Sequence, residues 1–179
     1  MSKAVLFSVR PEWCFPILNL RKTLELRTVI PKLPYPYKSY IYCSINGVTL
    51  YRSNDDGKIR LYRKKAHEAF AHHTVFNGKV IAEWICDGTL GHCEMANADL
   101  AEQMGLVKRD KIYEYSGFGK KEVKGLHISN LKIYEKPKEL GEFWSWQPSV
   151  EWKDGYPMPT HLIKRPPQSF MYVEELVNG

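Results

Sequence analysis

The sequence predicts an α+β domain: a small mixed β-barrel of five to six core strands, with two or three flanking helices and a hairpin insertion. Three observations carry that prediction. Short apolar or alternating runs recur along the chain, few stretches have helical periodicity, and Gly-, Asn- or Pro-bearing turns separate them. With 179 residues and 44% apolar side chains there is material for one core, so the chain is expected to form a single domain over 1–179.

Taken in order, Ala4–Val9 is a compact apolar run and predicts a buried first strand. Pro11 stands at a natural helix start, and Trp13, Ile17, Leu18 and Leu20 supply a helical stripe that Pro16 keeps short or irregular. Thr23–Val29 alternates, with Leu24 and Leu26 on one face and Thr23, Glu25 and Arg27 on the other. Pro31, Pro34 and Pro36 dictate an extended loop before a strand at Ser39–Ile45. Val48–Arg52 and Lys58–Tyr62 flank Ser53-Asn54-Asp55-Asp56-Gly57 as a hairpin with a five-residue loop, within an insertion spanning about 47–76.

Beyond the insertion, Ala66–His73 is a short helical candidate and Lys79–Asp87 a strand opened by Asn77-Gly78. Glu94–Leu106 reads as a helix ending near Gly105, and Tyr113–Lys124 as a loop with partial helix. Gly125–Tyr134 alternates again, and Phe170–Val173 is a last short strand. Between them, about 143–165, lies a Trp- and Pro-rich excursion without periodicity.

No run approaches the roughly 18 apolar residues of a membrane span, and the apolar run at the N-terminus is too short for a secretory signal. Four cysteines in a chain of this size do not make a disulfide framework. The expectation is a cytoplasmic protein with reduced thiols. The net charge is +6, unevenly spread: residues 1–65 hold 13 Lys/Arg against 4 Asp/Glu, and the remainder 13 against 16. A basic half suits a polyanion, because phosphate contacts dominate non-specific affinity for nucleic acid.

Two constellations carry candidate chemistry. In Arg21-Lys22-Thr23-Leu24-Glu25-Leu26-Arg27 a helix-to-strand corner places Arg21 and Lys22 beside the face bearing Thr23, Glu25 and Arg27. That set can hold a phosphate or carbonyl oxygen and position a general base, or simply form a solvated, self-paired strand face. The second is Lys58, Arg60, Arg63, Lys64 and Lys65, interleaved with Tyr51 and Tyr62, which combines charge with rings for stacking on single-stranded nucleic acid. Its bland counterpart is a solubilising hairpin. Phe143, Trp144, Trp146 and Trp152 could present a surface to a base, though such clusters usually pack under loops.

Neither a phosphate-binding Gly-rich loop nor a nucleophile elbow is present, and no cofactor is expected. Cys86, His92 and Cys93 lack a metal-ligand spacing, and His72-His73 is adjacent rather than i, i+4, so no metal is expected. Cys43 and Cys86 read as small core residues.

Val5–Arg27 resembles the ASCH domain family of the PUA-like superfamily. Its signature is a glycine, a lysine two residues on, then glutamate and arginine three and five residues beyond the lysine. Lys22, Glu25 and Arg27 match, whereas the glycine position holds Leu20, a departure that predicts a different turn after the helix. Tyr40–Ser44 and Asn77–Trp84 resemble the family's second and next core strands, and Leu126–Tyr134 and Arg165–Phe170 resemble segments of its phage and bacterial branch, all in the same order.

The resemblance implies a PUA-like barrel with a cleft beside the lysine-bearing turn, and partners among RNA, other single-stranded nucleic acid or a modified nucleoside. Lys22 and Arg27 would meet a phosphate or the edge of a flipped-out base, Glu25 would accept from an exocyclic amino group, and the basic hairpin would track the backbone. Some branches are hydrolytic, which implies an alternative. One removes the acetyl group of N4-acetylcytidine with a lysine, a threonine and a glutamate; Lys22 stands where that lysine would be and Glu25 in place of the threonine. Another is linked to metal-assisted cleavage of single-stranded RNA. In a hydrolase, Glu25 would activate water and Lys22 stabilise the oxyanion, with Glu83, expected beside Ile81 and Ile85, a weaker second carboxylate. A third reading is a phage-type protein-interaction module built on 143–152.

Overall fold

A computed structural model describes residues 2–63, 70–153 and 155–176 of the chain. The first apolar run becomes β1 (Lys3–Val9), in which Ala4, Val5, Leu6 and Phe7 are all fully buried. A strand buried on both faces must lie inside a sheet, and β1 does. It pairs parallel with β3 (Tyr37–Cys43), Leu6 opposite Tyr40, and antiparallel with β13 (Phe170–Glu174), Leu6 opposite Met171. Between β1 and β3 the chain forms α1 (Pro11–Leu18) and β2 (Leu24–Arg27). The insertion follows as β4 (Thr49–Arg52), β5 (Ile59–Tyr62) and β6 (Thr74–Val75).

Then come β7 (Val80–Cys86), β8 (Thr89–Leu90), α2 (Ala98–Gly105), α3 (Arg109–Tyr115), β9 (Lys124–His127), β10 (Ser129–Lys138), β11 (Trp144–Lys153) and β12 (Tyr156–Leu162). The strands form a seven-stranded sheet in the order β10-β7-β3-β1-β13-β11-β12 and two three-stranded sheets, β2-β9-β8 and β5-β4-β6. The fold is thus mixed α+β with a large mixed sheet. The expected closure into a barrel is not shown: β10 and β12 end the large sheet, and β12 carries Pro157 and Pro159, which have no N–H to donate to a further strand.

Three apolar clusters organise the interior. One, under α1, joins Val5, Phe7, Ile41, Ala82 and Trp84 to Leu50 and Phe76 of the insertion. A second, on the opposite face of the large sheet, gathers Leu6, Tyr40, Tyr134 and Phe143. A third holds Leu24, Ala101, Ile112 and Val123 beneath α2 and α3. All four cysteines are buried free thiols.

Several expectations are corrected by local backbone geometry. The excursion at 143–165 is mostly the β11–β12 hairpin; its prolines and a register shift between Trp144 and Ser149 hide the alternation. The single strand expected over Gly125–Tyr134 is two, parted at Ile128, with the irregular start of β10 marked by Asn130 at φ +49°. The hairpin loop runs 53–58, one residue longer than expected. Of the helix expected over Ala66–His73, residues 66–69 lie outside the described residues, Phe70 is in 3₁₀ conformation, and 71–73 form turns and a bend. The expectation that Glu83 shares a face with Ile81 fails because β7 has a register irregularity against β3 at Ala82/Val80. Ile81 therefore turns inward with Ala82, while Glu83 accepts a hydrogen bond from Tyr134 Oη (2.7 Å) on the other face.

Burial raises the Tyr40 hydroxyl to about 12 and the Cys93 thiol to about 11. Both groups hold their protons in the folded protein at pH values where the unfolded chain has lost them, so stability falls as pH rises through about 9–12. Lys22, whose ammonium is lowered by burial, works in the opposite sense below its ordinary value of 10.5. Tyr40→Phe is expected to flatten the alkaline limb in a series of urea titrations from pH 8 to 11. An unchanged limb would remove Tyr40 as its source.

Candidate functional site

The corner after α1 is built by main-chain bonds. Leu20 N–H donates to Ile17 O (2.9 Å), and the N–H groups of Arg21 and Lys22 both donate to Pro16 O (2.9 and 3.1 Å). Leu20 occupies the left-handed region at φ +56° and is 72% exposed. The signature's glycine position thus keeps a left-handed conformation that favours glycine. Leu20→Gly is expected to stabilise the fold by about 0.5–1 kcal/mol, the relief of the left-handed strain less glycine's extra freedom when unfolded. A urea midpoint that falls would contradict this.

Beyond the corner, Thr23 N–H donates to Met104 O (3.0 Å), docking the chain on the end of α2. Lys22 is 2% exposed, and its ammonium donates to Leu24 O (2.6 Å) and Gly105 O (2.9 Å), with Glu25 Oε2 at 3.6 Å. Burial lowers the pKa of Lys22, and the charge of Glu25 opposes that shift. Arg27 donates through Nε to Glu25 Oε1 (3.1 Å), with Nη2 3.0 Å from the same oxygen as an ion pair, through Nη2 to Ser8 O (2.8 Å) and through Nη1 to Ser169 Oγ (3.1 Å). One guanidinium therefore ties β2 to the end of β1 and to the segment entering β13. Ser8 Oγ reinforces the tie by donating to Pro167 O (2.6 Å).

Glu25 thus receives a cation on each oxygen. It forms part of the wall of a cavity of about 510 Å³, together with Lys22, Arg27, Trp13, Tyr115 and Pro167. Arg10 and Lys111, both exposed, also line it, Lys111 paired with Glu114 (2.6 Å). The Lys22 ammonium lies 5.7 Å from the Trp13 ring centre. The gathering of Lys22, Glu25 and Arg27 was legible as an alternating strand after a helix corner. Trp13 stood out only as part of a helical stripe, and Arg10, Lys111 and Tyr115 gave no signal, since α3 brings Lys111 and Tyr115 to a corner that Arg10 reaches from the start of α1.

Other candidate residues lie elsewhere. Arg21 is exposed and does not line the cavity. Lys58, Arg60 and Arg63 of the insertion do not line it either, and Lys64 and Lys65 lie outside the described residues. Arg60 is held in a two-pronged pair with Asp56 (2.8 and 2.7 Å), which pulls the Asp56 carboxyl well below its usual range. Glu83 is flanked by Lys38 (3.9 Å) and Lys132 (4.0 Å), away from the cavity. A shallower cavity of about 320 Å³ adjoins the Asp87–His127 pair (2.6 Å).

The arrangement is that of an α+β fold whose polar cavity sits between a helix corner and a sheet end, and solved ASCH proteins share this fold. The crystal structure of ZmASCH from Zymomonas mobilis aligns with a TM-score of 0.53 at 13% identity, over 96% of this chain and 88% of that one. A single-site mutant of the same Zymomonas mobilis protein aligns with a TM-score of 0.53 at 14% identity, over 97% and 92%. No family model matches the chain, and no curated protein sequence does. Among the described residues no helix is long and apolar enough to cross a membrane.

Proposed function

We propose that the chain is a PUA-like nucleic-acid-binding protein that takes an unpaired base, in RNA or another single strand, into the cavity beside Glu25. The observation that carries this is the Glu25 carboxylate, fixed between Lys22 and Arg27 on the wall of a 510 Å³ cavity that Trp13 also lines. Because Leu24 O and Gly105 O occupy the Lys22 ammonium, Lys22 positions Glu25 rather than gripping a phosphate. Arg27 plays the same part, and Glu25 keeps lone pairs for the exocyclic amino group of a base. Trp13 offers a stacking surface, while the exposed Arg10 supplies a cation for a phosphate.

The test is fluorescence anisotropy with a labelled single-stranded RNA. Trp13→Ala is expected to weaken binding about 5- to 150-fold, the worth of one base–aromatic stack. Glu25→Gln, which keeps the shape and loses the charge, is expected to change which base is preferred. Affinity unmoved by both variants would refute the reading. Lys58→Gln with Arg63→Gln is expected to reduce the slope of log affinity on log salt by about 0.7 for each phosphate no longer neutralised. An unchanged slope removes the hairpin from the interface.

A second reading, hydrolysis of a modified nucleoside such as N4-acetylcytidine, draws on the 3.6 Å approach of Lys22 to Glu25 and the lowered pKa of the lysine. There Glu25, held in place by Lys22 and Arg27, activates water. Release of acetate from N4-acetylcytidine that Glu25→Gln abolishes, while RNA affinity persists, would make this the function.

A further inference from the structure

The geometry points to a divalent transition-metal site in the insertion, formed by Asp55, His72 and His73. Adjacent histidines on a helix would diverge by about 100°, which is why their spacing argues against a shared ion. These two do not lie on a helix. They occupy the turn leading into β6, which the register of β4 against β6, Arg52 opposite Thr74, sets beside the loop carrying Asp55.

Several observations support a built arrangement. Asn54 fastens the two loops together: its side-chain amide donates to His72 O, its Oδ1 accepts from Thr74 Oγ1 (3.3 Å), and its N–H reaches His73 Nδ1 at 3.5 Å. The His73 ring is stacked on Tyr51 (centroids 5.0 Å, planes 19° apart) and cannot turn freely. The His72 and His73 rings lie with centroids 3.8 Å apart. One donor atom from each of Asp55, His72 and His73 lies within 4.8 Å of the others, yet among the described residues no hydrogen bond joins the carboxylate to either ring. Asp55 Oδ2 accepts from Ser53 Oγ (3.4 Å).

Donors about 2.0–2.2 Å from a common ion are about 3.3–3.6 Å apart in a tetrahedron, so with His73 held by Tyr51 the exposed Asp55 and His72 side chains need only rotate toward it. Two imidazoles and one carboxylate suit Zn²⁺ and its neighbours rather than Mg²⁺ or Ca²⁺, and water would complete the shell. The ion would staple the 53–58 loop to the approach of β6.

The experiment is calorimetric titration of the full, untagged chain with Zn²⁺ and separately with Mg²⁺, backed by the visible spectrum of the Co²⁺ form. The expected result is one Zn²⁺ per chain, no Mg²⁺, and no thiolate band with Co²⁺. Asp55→Asn and His72→Gln should each weaken Zn²⁺ by more than about tenfold, while His92→Gln leaves it unchanged. These are surface substitutions, and matching melting curves without metal will confirm that each variant folds. Absence of Zn²⁺ binding, binding that survives both variants, or binding lost equally in His92→Gln would overturn the assignment.

Discussion

Glu25→Leu is expected to cost about 3–5 kcal/mol of folding stability, the largest loss of any single polar substitution in this protein. The carboxylate is 6% exposed and accepts from Arg27 on one oxygen while the Lys22 ammonium stands 3.6 Å from the other. Leucine has a similar volume and leaves both cations buried without a counter-charge. Lys22 would remain bonded to Leu24 O and Gly105 O, and Arg27 to Ser8 O and Ser169 Oγ, so the fold should persist in weakened form. The pH dependence has a definite sign. Removing Glu25 removes the interaction that raises the Lys22 pKa, so that pKa falls further below that of the unfolded chain. The native state then holds fewer protons than the unfolded one over a wider range, and stability rises with pH across it. The deficit of Glu25→Leu should therefore shrink between pH 7 and pH 10 in urea titrations. A deficit below about 1 kcal/mol, typical of an exposed ion pair, would mean that water reaches the cluster freely.

The same cluster shows what the sequence could and could not disclose. Alternation in Thr23–Arg27 was enough to put Glu25 and Arg27 on one face, and the preceding corner was enough to bring Lys22 near them. It could not reveal that Lys22 spends its ammonium hydrogens on main-chain carbonyls, because one of these belongs to Gly105, 83 positions away. The basic hairpin illustrates the opposite failure: a count of cations does not disclose that Asp56 engages Arg60. The β11–β12 hairpin escaped notice because three prolines and a register slip erase a period of two. The histidine pair was discounted on a spacing rule that holds for helices, and the turn it occupies obeys another geometry.

Gly125→Ala is expected to destabilise the protein by about 1–3 kcal/mol and to disturb the site without touching it. Gly125 lies on β9 beside β2, where Leu26 is its register partner, and Leu24 leans across its open face. A Cβ at Gly125 would fall 2.2 Å from Leu24 Cδ2 and 2.4 Å from Leu24 Cγ, far inside any contact distance. Leu24 cannot swing away, since it is 2% exposed and packed with Ala101, Ile112 and Val123. The strain must then pass to the backbone of β2, the strand that carries Glu25 and Arg27. A displaced β2 lengthens the hydrogen bonds from Arg27 to Ser8 and Ser169, so RNA affinity should fall along with stability. The double-mutant cycle separates this from a generic loss. Leu24→Ala alone should cost about 2–5 kcal/mol through the cavity it leaves. Combined with Gly125→Ala, the new methyl fills part of that cavity, and the pair should cost at least about 1 kcal/mol less than the separate losses together. Strict additivity would show that Leu24 relaxes elsewhere, and that the glycine serves the strand pairing rather than the seat of the leucine.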